Sequence, residues 1–204
     1  MATMLAQPNE NEWEFVRELQ EPFHTSIQFS RTDRCAAEAD LSRGTSLRFA
    51  FPDPEGLLET AHADFRSFLG AGRIATDGPF EIVTEQVETD CFEAYRIEVT
   101  ETSCRILAND TEGIRRGLVF VEDEILRADG PFLPLRTFER RPVIKTRITR
   151  CFFGPINRPP KNRDELMDDV DYYPGEYLNR LVHEGVNGLW LSVKFDDLCT
   201  SALF

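Results

Sequence analysis

The residues best suited by type and spacing to meet a ligand lie in the last third of the chain. Arg150 stands near the C-terminal end of a β-branched and aromatic run, Val143–Phe153. The proline-dense segment Gly154-Pro155-Ile156-Asn157-Arg158-Pro159-Pro160 follows it. A guanidinium carries planar, forked donors that can hold ligand hydroxyls, and Asn157 and Arg158 add donors just beyond. The plain structural alternative for Arg150 is an ion pair with a neighbouring carboxylate. Asp196 and Asp197 follow a second apolar run, Leu189–Val193, and a carboxylate there could accept from ligand hydroxyls or bind a cation. Adjacent residues of an extended segment point to opposite sides. At most one of the two therefore faces a ligand, and Asp197 is taken as the candidate.

Other chemistries have weaker support. The five cysteines (Cys35, Cys91, Cys104, Cys151, Cys199) are scattered, odd in number and never spaced Cys-x-x-Cys, which argues against a cysteine zinc site and a disulfide framework. Gly113 and Gly117 fit neither a Gly-x-Gly-x-x-Gly nor a Walker pattern, and no cofactor is expected. His183 falls near a helix C-terminus, where the macrodipole favours a cation for structural reasons. Glu122-Asp123-Glu124 reads as a solvated helix face.

These residues must be positioned by elements. Asn9 to Glu21 reads as a helix with Trp13, Phe15, Val16 and Leu19 as its apolar residues. Thr25 to Gly44 is weakly periodic, a loop with at most one strand. Ser46–Phe51 alternates as a strand does. Asp53-Pro54 then offers a cap and a first-turn proline to a helix whose stripe is Leu57, Leu58, Ala61, Phe65, Phe68 and Leu69, stopped by Gly70. Phe80–Val87, Ala94–Thr100 and Cys104–Ala108 read as strands, the last two joined by a turn at Glu101-Thr102-Ser103. Asn109-Asp110-Thr111 caps a second helix to about Leu126, with Ile114, Leu118, Val121 and Ile125 on one face. The order strand, helix, three strands, helix predicts an α+β domain, a small antiparallel or mixed sheet with its helices on one face. Beyond the connector Ala128–Leu133, the Val143–Phe153 strand, a helix from Pro174 to Gly185 and the Leu189–Val193 strand form a βαβ unit with parallel strands.

Charge divides the chain. Residues 1–130 hold 12 Lys+Arg and 26 Asp+Glu, a balance of −14, and residues 131–204 hold 11 and 10, a balance of +1. The acidic first part is a poor partner for nucleic acid. From Arg136 to Arg163 there are nine basic residues and one acid, Glu139, which suits either an anionic ligand or, the favoured reading, docking against the acidic part. No stretch approaches the roughly 18–20 apolar residues of a membrane helix, and Met1–Asn9 lacks signal-peptide character. The expectation is no membrane association and a cytoplasmic location. The organisation read from these signals is 1–44, an N-terminal helix and irregular segment; 45–130, the α+β domain; and 131–204, connector and βαβ unit. A lone parallel pair leaves a strand edge and apolar faces uncovered, so the chain is expected to be incomplete and able to self-associate.

Three blocks in this order resemble a known family. Tyr95-Arg-Ile-Glu-Val and Cys104-Arg-Ile-Leu-Ala-Asn-Asp-Thr-Glu-Gly-Ile-Arg-Arg-Gly-Leu are similar to the small α+β domain that precedes the barrel in family 20 glycoside hydrolases, the β-hexosaminidase group. Arg141-Pro-Val-Ile-Lys-Thr-Arg-Ile-Thr-Arg-Cys-Phe-Phe resembles that group's first barrel strand. Tyr177-Leu-Asn-Arg-Leu-Val-His-Glu-Gly-Val-Asn-Gly-Leu-Trp-Leu resembles its first helix and second strand. The resemblance covers roughly residues 80 to 204. It implies an incomplete start of a (β/α)8 barrel and a carbohydrate substrate for the parent protein. It also implies a sugar-binding role for Arg150, although Cys151 stands where the family usually has His. The family's catalytic Asp-Glu pair lies on a later strand, so no catalytic residue is assigned and the chain alone is expected to be inactive. The rival reading is a non-catalytic carbohydrate-binding or protein-docking module.

Overall fold

A computed structural model describes residues 14–158 and 161–192. The chain forms two compact units, one of His24–Val143 and one of Met1–Phe23 with Ile144–Phe204.

The first unit is α+β. Its five-stranded mixed sheet has the order β2 (Thr45–Phe49), β3 (Phe80–Gln86), β5 (Ser103–Ala108), β4 (Tyr95–Val99), β7 (Thr137–Arg140). The β2–β3 and β3–β5 pairs are parallel, and β4 runs antiparallel to both β5 and β7. A three-residue link, Thr100 to Thr102, turns β4 into β5, held by a Ser103 N–H donating to Thr100 Oγ1 at 3.1 Å. A separate short pair joins β1 (Glu38–Asp40) to β6 (Phe132–Pro134).

Alternation along the strands decides which face is covered. Phe80, Ile82, Ile97, Cys104 and Ile106 are buried with Phe65, Phe68 and Leu69 of α2 (Glu59–Ala71) and Ile114, Leu118, Val121 and Ile125 of α3 (Thr111–Ala128) in one core. The opposite face carries a charge ladder. Arg48 meets Glu81 at 2.9 Å, and Arg105 meets Glu85 at 2.5 Å and Glu98 at 2.9 Å. Val83, on that face, lies in register between Arg48 and Arg105 and is 1% exposed, as expected where long basic side chains lay their stems over apolar surface.

Close approach of α3 to the sheet requires two glycines. A Cβ on Gly117 would stand 2.3 Å from Ile106 Cγ2, and one on Gly113 would stand 2.7 Å from the Ala94 carbonyl oxygen. Asp110 caps the helix as its type predicts, accepting the Gly113 N–H at 2.8 Å.

Several expectations are corrected. Asp53 does cap, but it accepts the N–H groups of Leu57 and Leu58 in a turn before α2, which starts at Glu59. Gly56, at φ +70°, interrupts the helical path between them. Glu122 and Glu124 are buried, not solvated. The division also falls away from residue 130: β1, β6 and β7 lie outside 45–130 yet belong to the α+β unit through their pairings.

The second unit contains α1 (Glu14–Leu19), β8 (Ile148–Arg150), β9 (Pro155–Arg158), β10 (Lys161–Asp164), a 3-10 turn (Glu165–Met167), α4 (Gly175–His183) and β11 (Gly188–Trp190). β8 and β11 are parallel with α4 between them, the expected βαβ connection. The first strand is much shorter than the run Val143–Phe153. The Arg147 guanidinium donates to the carbonyls of Ile144 and Gly185, which fixes the chain as an irregular segment up to β8. Val143 and Ile144 stay exposed. The proline-dense segment, expected as loop, supplies β9 of an antiparallel ribbon with β10. Pro155 is its first residue, a position where proline is tolerated. Gly185, at φ +87°, follows α4, and the N–H groups of Gly185 and Val186 close the helix end on Val182 and Leu181.

Candidate functional site

Arg150 ends β8 opposite Trp190 in register, and its guanidinium carbon lies 6.0 Å from the centre of the Trp190 ring. Among the described residues it forms no ion pair, and the Trp190 indole is its neighbour. That contact leaves the in-plane N–H donors usable by a ligand. The segment after Arg150 is anchored. Cys151 N–H donates to the Trp190 carbonyl at 2.7 Å, and Gly154 N–H donates to Glu165 Oε2 at 3.0 Å.

Aromatic residues fill the space beside this strand end, a feature the residue-by-residue reading missed. Phe152 meets Tyr172, Tyr173 and Tyr177 edge-on at ring-centre distances of 6.1, 5.5 and 5.6 Å, and Phe153 stacks on Tyr172 at 4.4 Å. Tyr172 donates its hydroxyl to Asp168 at 2.8 Å. The Tyr173 hydroxyl is pushed up to about 12, first by burial and then by the Cys151 thiol. The sequence signal for this cluster is the density of aromatic residues at 152–153 and 172–177.

The other candidates are not gathered with Arg150 on one sheet. Asn157 and Arg158 lie on β9, in register with Asn162 and Lys161 of the separate ribbon. Asp196 and Asp197 lie outside the described residues. The basic run is partly spent inside the α+β unit: Arg141 pairs with Asp90 at 3.1 Å, Arg136 lies over Phe138 at 4.3 Å, and Arg140 lies over Phe120 at 5.1 Å. Around them an open cleft of about 550 Å³ is lined by Asp90, Tyr95, Arg96, Arg140 and Arg141 among others. Burial pushes the Tyr95 hydroxyl up to about 12.

The α+β unit also holds a buried histidine–carboxylate group. His24 Nε2 lies 3.3 Å from Asp64 Oδ1 and 3.2 Å from Glu122 Oε2, with side-chain exposures of 5%, 14% and 3% for the three residues. Burial alone works to lower the imidazole, but hydrogen bonding and charge from Asp64 and Glu122 raise it to about 9.

Comparison with known proteins bears on the fold. Neither a protein-family model nor a curated protein matches the chain. Solved structures do. The chain superposes on a GH138 enzyme targeting pectin rhamnogalacturonan II at TM-score 0.55 and 14% identity, over 74% of this chain and 19% of that one. It superposes on a mutant Streptomyces plicatus β-hexosaminidase in complex with its product GlcNAc at TM-score 0.51 and 19% identity, over 83% and 34%. The Streptomyces plicatus enzyme in complex with Thio-NAglucal gives TM-score 0.51 and 19% identity, over 79% and 32%. The fold is thus one that glycoside hydrolases contain, and the resemblance to the family 20 group holds at the level of fold. The chain spans about a fifth to a third of the length of these structures.

Proposed function

We propose that this chain is the N-terminal portion of a glycoside hydrolase of the β-N-acetylhexosaminidase-like class. In this reading the α+β unit is a non-catalytic domain and the βαβ unit begins a (β/α)8 barrel that binds a carbohydrate. The observation that carries the reading is the fold shared with β-hexosaminidase over 83% of the chain. Arg150 at the C-terminal end of β8 supports it, because barrel enzymes place substrate contacts at that end of their strands. The chemistry is assigned to an acidic pair on a later strand, since a retaining glycosidase needs both a proton donor and a nucleophile or its substrate-borne equivalent. Neither Arg150 nor Asn157, Arg158 or Asp197 takes a catalytic role; they are proposed substrate-binding residues. The strand edge and the exposed Trp190 and Leu191 beside it are proposed to drive self-association of the isolated chain.

The test is hydrolysis of an aryl N-acetylglucosaminide by residues 1–204 and by the product of the complete reading frame. No turnover by the former and measurable turnover by the latter are expected. In the complete protein, Arg150→Ala should weaken substrate binding by about 1.5–3 kcal/mol, the value of a hydrogen bond to a charged group. Turnover by residues 1–204 alone would overturn the division of labour. A complete frame that binds an N-acetylglucosaminide without hydrolysing it would favour a carbohydrate-binding module.

A further inference from the structure

Three elements of the α+β unit converge on one donor group. Asp64 comes from α2, Glu122 from α3, and His24 from the segment that leads into the unit. That segment is tied to α2 by Ile27 N–H donating to the Ala71 carbonyl at 3.1 Å. The His24 ring stands edge-on to Phe68 at 5.3 Å, one helical turn beyond Asp64, and this contact fixes the direction of its Nε2.

Donor type and spacing fit a divalent ion. An imidazole nitrogen with two carboxylate oxygens is an N/O set that suits zinc and its neighbours better than magnesium or calcium, which take oxygen ligands. Ligand bonds of about 2.0–2.2 Å in a tetrahedral arrangement put donor atoms roughly 3.3–3.6 Å apart. The two nitrogen–oxygen separations here are 3.3 and 3.2 Å, and these three belong to a set of donor atoms that all lie within 4.8 Å of one another. Carboxylates this buried are costly unless a positive partner compensates them.

We propose that His24, Asp64 and Glu122 form a binding site for a divalent transition-metal ion of the zinc class. The ion takes the place of the proton that His24 otherwise shares between the two carboxylates. It binds neutral imidazole Nε2 and one oxygen from each carboxylate. The consequence is a cross-link between α2, α3 and the entry segment. An ion that binds the folded state and not the unfolded one stabilises the fold in proportion to its occupancy.

The test uses the full chain, freed of metal with a chelator and titrated with zinc chloride by calorimetry, with magnesium and calcium chlorides as comparisons. One zinc per chain is expected, bound more tightly than either comparison ion, with a rise in melting temperature. Loss of an outer-shell partner alone changes metal affinity by about 10–100-fold, so His24→Ala and the near-isosteric Glu122→Gln should each weaken zinc by roughly tenfold or more. Cobalt(II) added to the wild-type chain gives a reading that depends on no variant folding. Tetrahedral d–d absorption without a thiolate charge-transfer band supports the site. A thiolate band would assign the metal to the cysteines and overturn the proposal. Zinc affinity unchanged in both variants, or no binding below millimolar zinc, would overturn it as well.

Discussion

Replacing Gly117 by alanine tests the close contact between α3 and the sheet, because two effects of opposite sign compete. In an exposed helix interior, Gly→Ala stabilises by about 0.8–1.0 kcal/mol. At Gly117 the added Cβ would lie 2.3 Å from Ile106 Cγ2, where carbon atoms settle at about 3.5–4.0 Å. More than an ångström must be found. Ile106 cannot supply it easily: it is 0% exposed, β-branched, and sits on β5 between Thr84 of β3 and Ile97 of β4. Overpacking a core costs about 1–3 kcal/mol, and a rigid neighbour on a central strand argues for the upper half of that range. The net expectation is destabilisation by about 1–2 kcal/mol. Gly70→Ala is the control, since it lies in α2 with nothing within 4 Å of its ideal Cβ; it should stabilise by about 0.5–1 kcal/mol. Urea unfolding should be followed by circular dichroism with amide exchange along α3. Both tryptophans, Trp13 and Trp190, fall outside His24–Val143 and would report on the other unit. Ile106→Ala in the Gly117→Ala background should show a favourable coupling, because it removes the clashing methyl. A Gly117→Ala chain as stable as the wild type would refute the argument.

Three further outcomes are expected. Glu38 is held down at about 2, mainly by the Arg31 guanidinium 2.7 Å away; because the folded value lies below the unfolded one, its contribution is present above about pH 4.5 and is lost as pH falls toward 2. The difference in melting temperature between wild type and Arg31→Met should therefore shrink over that window, and a constant difference would remove the ion pair as its cause. Asp110→Ala should cost about 1 kcal/mol through loss of the α3 cap, read from the urea midpoint, whereas Asp110→Asn should recover most of it. Residues 1–204 should bind a hydrophobic dye or sediment above monomer mass, since Ile148, Trp190 and Leu191 are all exposed; a compact monomer that ignores the dye would count against the exposed edge.

Local chemistry was legible in the sequence where one residue decides the outcome. Asp110 announced its cap, the Ile114–Ile125 stripe announced the buried face of α3, and the strand–helix–strand order announced the parallel β8–β11 pair. Long-range pairing was not legible. The three residues of β1 and the three of β6 are too short to show a period, and they form strands because they find one another across the chain. Glu122-Asp123-Glu124 looked like a solvated face by composition, yet Glu122 and Glu124 are buried, and each has a basic partner, His24 and Arg127. Partners distant in sequence are invisible to any local pattern. The Val143–Phe153 run failed for the same reason in reverse: its β-branched and aromatic residues favour a strand, but among the described residues β11 gives it three register partners.

What Arg150 can hold depends on how its charge is satisfied. Had it met a carboxylate, its N–H donors would be spent in the fork of an ion pair, and holding a sugar would require breaking that pair. Contact with the face of Trp190 does not consume those donors, because a ring attracts the guanidinium through its π surface while the N–H groups lie in the cation's own plane. The same contact costs little desolvation, since both groups remain exposed. Compare Arg147 three residues earlier, whose donors end on the carbonyls of Ile144 and Gly185. Both arginines lie in one basic run, but the first is occupied in building the βαβ unit, whereas the second forms no ion pair among the described residues. That difference, not the density of positive charge, makes Arg150 the residue on which a test of carbohydrate binding should begin.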